Sequence, residues 1–345
     1  MFLRLAMAGV LSVGVIGIAT ASSVSLRVLG QPVGSGLIQV NKEQPFFEKL
    51  AETSSQSFQV QYLPVDVAGI PDTDGLRVLR SGLFDIVSLR GGQVSRDEPT
   101  LLGADLVGLN TSFAEGRKNI EAYYETLDAR LQKAFNAKLL GVWPAGPQVL
   151  FCKPKVSGLA DLKGLKVRVG DQNTANFMSS LGAIGVPMPF GEVQQSLARG
   201  VVDCAITGPA SANSGGWPEA ATTVLPVALQ LAMNAYAINL KTWEKLSQGQ
   251  QQLLEGAVAE LTDEIWEYSE LLFDDAMRCN AGQQPCEKGK LYSIEVVEPQ
   301  ETDLSLVKNA LLDYSLPVWV KQCNAINKEC EADWQATIGK VNGLH

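Results

Sequence analysis

The segment Leu159–Gly170, LADLKGLKVRVG, contains the pattern that decides the fold. Its core, Leu165–Val169, alternates apolar and cationic residues, which is typical of a β-strand. Arg168 stands two residues before Gly170, near the end of the strand, where open α/β sheets present their ligand sites. Two interpretations follow: Lys166 and Arg168 lie on a solvated sheet edge, or Arg168 is a fixed cation that binds an anion.

On both sides of this segment, strand patterns alternate with helix patterns, and this alternation predicts an α/β protein with largely parallel sheets. The predicted strands are Val24–Leu29, Phe58–Tyr62, Phe84–Leu89, Leu139–Trp143, Leu165–Val169 and Val201–Ile206, with extended segments at Val186–Pro189 and within Leu225–Asn239. The predicted helices are Pro45–Ala51, Leu76–Leu83, Ser112–Asn136, Asn173–Leu181 and Glu192–Arg199.

One further helix is unusually long. Ser247 and Gln250 form a capping-box pair, and an apolar stripe continues from there to about Met277. At 1.5 Å per residue such a helix is about 45 Å long, more than the width of one domain. It therefore predicts a helix that spans two domains, the alternative being a helix exposed at one end.

The chain of 345 residues has room for two domains of about 150 residues each. We predict one lobe from residues 22–145 plus 232–262 and a second from residues 146–231 plus 263–345. Before them, Met1–Ala21 combines Arg4, an apolar run and a small-residue end, the pattern of a secretory signal peptide. A membrane anchor is the alternative, but the run is shorter than the ~20 residues that a span needs. We therefore expect an exported, periplasmic protein.

Composition excludes several classes of function. The formal net charge of −9 argues against nucleic acid or an anionic membrane surface as a partner. The only histidine is His345, so a Ser-His-Asp or Cys-His nucleophile has no base and a histidine metal site has no ligands. Nucleotide-binding glycine motifs are missing as well. An enzyme that uses a carboxylate or lysine base stays open, and no cofactor or metal is expected.

Six cysteines fit an oxidising compartment. Cys279 and Cys286 are seven residues apart, as are Cys323 and Cys330, which favours two small disulfide loops. The spacing is too wide for a zinc knuckle. Cys152 and Cys204 form either a third bridge or two buried thiols.

Four segments in order resemble the solute-binding proteins of tripartite ATP-independent periplasmic (TRAP) transporters, of the C4-dicarboxylate-binding (DctP) type. They are LADLKGLKVRV at 159–169, PMPFGEV at 187–193, RGVVD at 199–203 and AINLKTW at 237–243. A weaker likeness covers Val24–Gly141. The resemblance implies a bilobed periplasmic-binding-protein fold, in which two α/β domains are joined by hinge strands and a long helix. It also implies a receptor that binds a small organic carboxylate and hands it to TRAP membrane permease subunits.

The resemblance implies roles for individual residues. Arg168 corresponds to the arginine that clamps a carboxylate with two parallel hydrogen bonds, and Phe190 to the aromatic residue that packs over the ligand. Thr207 stands where relatives place an asparagine on the ligand, and Gln148 where sialic-acid-binding relatives carry a second arginine. One arginine with Gln148 and Thr207 suits a monocarboxylate with a neutral or apolar body.

Four more residues are candidates for the site. Gln31 directly follows the first strand, and Arg90 follows another strand, where it supplies a second charge or lies on the surface. Trp217 lines the cleft or caps the core. Asn213 reaches the ligand or, as we favour, shapes the turn that follows it.

We expect a transport receptor that is not an enzyme and that acts as a monomer or weak dimer. The alternatives are a sensory ligand-binding protein on the same fold, an enzyme with a carboxylate or lysine base, or a binding protein of an ABC transporter.

Overall fold

The computed structural model describes residues 23–344. The predicted signal peptide, Met1–Ala21, lies outside this range, as does His345. The described chain forms two β-sheets with helices packed around them, as the alternating sequence pattern predicts. Its strands, in chain order, are β1 Val24–Gly30, β2 Phe58–Pro64, β3 Ile86–Arg90, β4 Ala137–Pro144, β5 Val149–Cys152, β6 Lys166–Val169, β7 Ile184–Pro187, β8 Cys204–Thr207, β9 Thr223–Leu225, β10 Met233–Asn239 and β11 Glu295–Val296.

The helices are similarly distributed along the chain. They are α1 Gln44–Thr53, α2 Gly75–Ser81, α3 Gly91–Val94, α4 Thr100–Gly103, α5 Phe113–Phe135, α6 Gln172–Ser180, α7 Val193–Arg199, α8 Pro209–Ser214, α9 Leu240–Trp243, α10 Gln248–Asn280, α11 Glu301–Ala310, α12 Leu316–Ile326, α13 Cys330–Trp334 and α14 Lys340–Asn342.

Each sheet is the centre of one lobe. The first sheet has the order β2-β1-β3-β10-β4 and the second has the order β11-β9-β5-β8-β6-β7. In the first, β1 runs parallel to β2 and β3, while β10 is antiparallel to β3 and β4. In the second, β6 runs parallel to β7 and β8, while β5 is antiparallel to β8 and β9. The carboxyl ends of the parallel strands β3, β6 and β8 therefore face the space between the lobes.

Two neighbouring segments connect the sheets at a hinge. After β4 the chain passes into the second lobe through residues 145–148, and it returns before β10 through residues 229–232. Ala145 N donates to Ala232 O over 3.1 Å and Gly146 N donates to Leu231 O over 3.0 Å. Gly146 and Ala232 both have positive φ angles, 111° and 55°, a conformation that is uncommon for alanine.

The long helix α10 is a third connection, and the predicted domain-spanning helix is confirmed. Its 33 residues correspond to about 50 Å. Ser247 caps its start in the predicted capping box with Gln250. Trp266 Nε1 donates to Val142 O in the first lobe over 3.0 Å, and Asn280 Nδ2 donates to Pro209 O in the second over 3.1 Å.

The C-terminal helices pack against helices α4 and α5 of the first lobe. Trp319 and Trp334 are fully buried, and their indole nitrogens donate to Pro99 O over 2.7 Å and Gly103 O over 2.9 Å. The lobe boundaries given above, which assign residues 263–345 to the second lobe, stay a prediction. These contacts favour a first lobe that includes the helices after about residue 311.

All six cysteines are paired. This confirms both short loops, and it shows that Cys152 and Cys204 form a third bridge rather than two buried thiols. The disulfides are Cys152–Cys204, Cys279–Cys286 and Cys323–Cys330. Cys152 and Cys204 stand directly opposite each other on β5 and β8 and are fully buried.

Candidate ligand-binding cleft

A cavity of about 70 Å³ lies between the two lobes, beside the hinge. It is bounded by the ends of β3, β6 and β8 and by both hinge segments. Its lining side chains with functional groups are Arg90, Gln93, Asp105, Gln148, Arg168, Asp171, Thr174, Phe190, Thr207 and Gln230. The structure thus brings five of the eight candidate residues, Arg90, Gln148, Arg168, Phe190 and Thr207, to one cavity.

Arg168 is held rigidly at this cavity. Strand β6 buries it to 5% exposure, which excludes the solvated-edge interpretation. Its Nε and Nη2 both donate to Met188 O, over 3.0 and 2.8 Å, and Nη1 donates to Ile206 O over 3.1 Å. A guanidinium has five N–H groups, so one N–H on each terminal nitrogen remains without an acceptor among residues 23–344.

The guanidinium also lacks a counter-ion. None of the ion pairs within residues 23–344 includes Arg168. Burial, and to a smaller extent the nearby charge of Arg90, lower the pKa of Arg168 to about 10, and the charge of Asp171 acts in the opposite direction. Arg168 is therefore still a cation at neutral pH, and it is a buried one that an anion can stabilise.

One aromatic ring, that of Trp217, supports this cation, and Phe190 packs on Trp217. Trp217 is fully buried, and the Arg168 guanidinium carbon lies 5.7 Å from its ring centre, within the range of a cation–π interaction. Phe190 stacks on Trp217, with the two ring centres 5.2 Å apart, and it lines the cavity. Trp217 thus lies behind the cavity wall, and Phe190 contributes apolar surface to the cavity lining.

Thr207 and Gln148 add polar atoms next to Arg168. Thr207, the last residue of β8, is 6% exposed, and its Oγ1 has no hydrogen-bond partner in the described part of the chain. Gln148 Nε2 donates to Gly146 O over 2.8 Å, which fixes the amide beside the hinge. Both side chains line the same cavity as Arg168.

Arg90 lines the same cavity, but it already has an anionic partner. Its Nη1 lies 3.0 Å from Asp72 Oδ2, and both side chains are about a quarter exposed. Asp72 therefore offsets part of the charge of Arg90, which still acts on Arg168.

Gln31 and Asn213 lie away from this cavity. Gln31 Nε2 donates to Ser88 Oγ over 3.0 Å, and its backbone N donates to the fully buried Glu43. Asn213 Nδ2 donates to Asn280 Oδ1 and Lys290 O, both over 2.7 Å. Gln31 is used inside the first lobe. The Asn213 side chain joins α8 to the end of α10, and its backbone O accepts from Gly216 N over 3.1 Å in the turn that follows it.

Five lining residues with polar side chains were not among the candidates: Gln93, Asp105, Asp171, Thr174 and Gln230. Asp171 caps α6, since its Oδ1 accepts from Thr174 N over 2.8 Å, and its Oδ2 accepts from Gln230 Nε2 over 3.0 Å. Gln93 Nε2 donates across the cleft to Gly170 O over 2.9 Å. The position of Asp171, three residues after Arg168 at the end of a strand, was the signal that could have identified it.

Within residues 23–344, no group of three or more potential ligands among His, Cys, Asp and Glu is arranged to hold a metal. In the same range, no helix is both long enough and apolar enough to cross a bilayer.

Two lobes with a buried cation between them define the architecture of a bilobed solute-binding protein. The family model described as bacterial extracellular solute-binding protein, family 7 (DctP), matches residues 30–279. The chain belongs to this family, whose members are solute-binding proteins of transport systems, and the resemblance noted in the sequence is confirmed.

Relatives support the same assignment. The sialic acid-binding periplasmic protein SiaP of Vibrio cholerae is 24% identical over 267 residues, which cover 73% of this chain and 80% of SiaP. The structure of DctP7, a Bordetella pertussis extracytoplasmic solute receptor binding pyroglutamic acid, matches with a TM-score of 0.76 at 18% identity, over 90% of this chain and 99% of DctP7. A TRAP periplasmic solute-binding protein from Sulfitobacter with bound β-D-galacturonate matches with a TM-score of 0.76 at 22% identity, over 91% of this chain and 99% of that protein. These structures have the same bilobed fold.

Proposed function

We propose that this chain is a periplasmic receptor that binds a small organic carboxylate through Arg168 and delivers it to the permease of a TRAP transporter. The observation that carries the proposal is a buried guanidinium with two free N–H groups and no counter-ion. The named ligands of the three relatives, sialic acid, pyroglutamic acid and galacturonate, all contain a carboxyl group. The pattern of Met1–Ala21 supports export to the periplasm.

Binding rather than catalysis is the role that the side chains support. Arg168 is already oriented by Met188 and Ile206, so little conformational entropy is lost when a carboxylate pairs with it. Phe190 covers the apolar part of the ligand, and Thr207 and Gln148 offer hydrogen bonds. Because the cavity is only about 70 Å³ in volume, the lobes must separate at the hinge to admit the ligand and close again over it.

Arg168→Ala tests this proposal. We expect the variant to lose about 2–5 kcal/mol of binding free energy, roughly 30-fold or more in Kd, because the ligand carboxylate would be buried without its cation. The ligand is first identified by mass spectrometry of small molecules released from denatured, freshly purified protein, and Kd is then measured by calorimetry.

Arg199→Ala is the matched control, because Arg199 is exposed at the end of α7 in the same lobe. It removes the same charge at a position outside the cleft lining and should leave Kd unchanged. Unchanged affinity in Arg168→Ala would remove Arg168 from the site and contradict the proposal.

A further inference from the structure

The cleft contains buried carboxylates as well as a buried guanidinium. Its charged lining residues are Arg90, Asp105, Arg168 and Asp171. Arg90 is paired with Asp72, whereas neither Asp105 nor Asp171 belongs to an ion pair in the described part of the chain. The cleft therefore presents one unpaired cation and two unpaired anions, which is unfavourable for a ligand with two negative charges.

Asp171 is directed into this space from the second lobe. It is 8% exposed and accepts from Thr174 N and Thr174 Oγ1, both over 2.8 Å, and from Gln230 Nε2 over 3.0 Å. An ionised carboxylate has about four acceptor positions. One position, on Oδ1, is therefore left for a ligand.

Asp105 is a second carboxylate, from the first lobe. It is 4% exposed and accepts from Asn110 Nδ2 and Leu231 N, both over 3.0 Å, and from Met233 N over 3.1 Å. One acceptor position, on Oδ2, is likewise free. Asp105 and Asp171 line the same cavity of about 70 Å³, and burial, with a smaller contribution from the charge of Asp171, raises the pKa of Asp105.

The cleft thus has two kinds of unsatisfied groups. Arg168 offers two N–H donors and Thr207 a free hydroxyl, all suited to a ligand carboxylate. Asp171 and Asp105 offer acceptor positions with negative charge, suited to a ligand N–H or ammonium group. A donor placed between these two carboxylates contacts one residue from each lobe, so it would also hold the lobes together.

Resting on the proposed function, we infer that the ligand is a monocarboxylate carrying an N–H or ammonium donor, whose carboxylate binds Arg168 and whose donor is bound by Asp171 and Asp105. A dicarboxylate is disfavoured because its second charge meets these two anions, while Arg90, the second cation of the lining, is already paired with Asp72. An otherwise equal acid without the N–H binds less tightly because it leaves the fourth acceptor position of each buried carboxylate unfilled.

The test compares three groups of carboxylic acids of matched size on the mature wild-type protein. The first group contains amino, imino and lactam acids such as proline, the second their carbocyclic counterparts such as cyclopentanecarboxylate, and the third dicarboxylates such as succinate and glutarate. Binders are found by thermal shift and their Kd values are measured by calorimetry. We expect the best acid of the first group to bind at least about tenfold more tightly than the best of the other two.

Asp171→Asn supplies the second measurement. Asparagine is also a good N-cap, so α6 keeps its capping oxygen while the negative charge is lost. We expect the preference for the first group over the dicarboxylates to fall to about threefold or less. Asp203→Asn is the control, because Asp203 lies in the same lobe, outside the cleft lining, and accepts from Lys166 N over 2.8 Å. Asp203→Asn should keep the wild-type preference. The control thereby separates the loss of the Asp171 charge from a general effect of an Asp-to-Asn change on stability.

The outcomes separate the two proposals. If a dicarboxylate or an acid without N–H binds wild type as tightly as the first group, and Arg168→Ala abolishes that binding, the donor inference is wrong and the receptor function stands. An unchanged preference in Asp171→Asn also contradicts the inference. If no carboxylate of any group binds, both proposals fall.

Discussion

Asp105 is the residue at which the hinge and the cleft meet. Its carboxylate accepts the backbone N–H groups of Leu231 and Met233, which flank Ala232 and its positive φ angle. Burial, and to a smaller extent the charge of Asp171, raises the pKa of Asp105 to about 6. A single side chain thus stabilises an uncommon backbone conformation while keeping a charge in the cleft.

This raised pKa gives a pH-dependent contribution to stability. Between pH 4 and 6 the folded state holds a proton on Asp105 that the unfolded state has released, so the contribution to the free energy of unfolding falls as pH rises, by at most about 1.4 kcal/mol per pH unit. We expect the difference in free energy of unfolding between wild type and Asp105→Asn to change over this window and to be constant above about pH 7. Urea unfolding at a series of pH values measures it. If the difference in free energy of unfolding does not vary with pH, the pKa of Asp105 is the same in the folded and unfolded states, and the prediction is wrong.

At the scale of secondary-structure elements, the sequence predicted those with a strong period and missed those without one. The alternation of Leu165–Val169, the stripe of α5 and the capping box of α10 placed their elements within a few residues. Strand β5 was missed because Val149–Cys152 is buried throughout and so has no alternation to detect. The hydrogen bond from Gln93 to Gly170 and the Asp171–Gln230 contact were out of reach for a related reason. Both join residues far apart in the chain, and the Gln93–Gly170 bond also crosses from one lobe to the other.

The disulfides constrain elements to different extents. In the chain-entropy model, a bridge over 52 residues, as in Cys152–Cys204, contributes about 4 kcal/mol, whereas one over seven residues, as in Cys279–Cys286, contributes about 2 kcal/mol. We expect the Cys152→Ala/Cys204→Ala variant to lose more free energy of unfolding than Cys279→Ala/Cys286→Ala, as measured by urea unfolding. The Cys279–Cys286 variant should retain wild-type Kd because its loop lies outside the cleft lining. A larger loss for the short loop would argue that it has a packing role beyond chain entropy.

For the whole molecule, the decisive property is the equilibrium between open and closed lobes. Ligand affinity depends on this equilibrium, because a binding-competent state that is only partly populated reduces the apparent affinity in proportion. At the hinge, backbone hydrogen bonds join Ala145 to Ala232 and Gly146 to Leu231. Arg168 takes no part in these bonds. Contacts that join the lobes at the mouth of the cleft should therefore change Kd without changing the chemistry of ligand recognition.

Gln93→Ala tests this separation. Gln93 comes from α3 in the first lobe, and its Nε2 donates to Gly170 O in the second over 2.9 Å. Loss of one such hydrogen bond costs about 1 kcal/mol, so we expect Kd to rise about fivefold while the preference among ligands is retained. Small-angle X-ray scattering should show a larger radius of gyration for the ligand-free variant than for ligand-free wild type, and saturating ligand should remove the difference. Gln132→Ala is the control, since Gln132 bonds only to Asp128 within α5. A fivefold loss of affinity with unchanged scattering would place Gln93 on the ligand itself rather than in lobe closure.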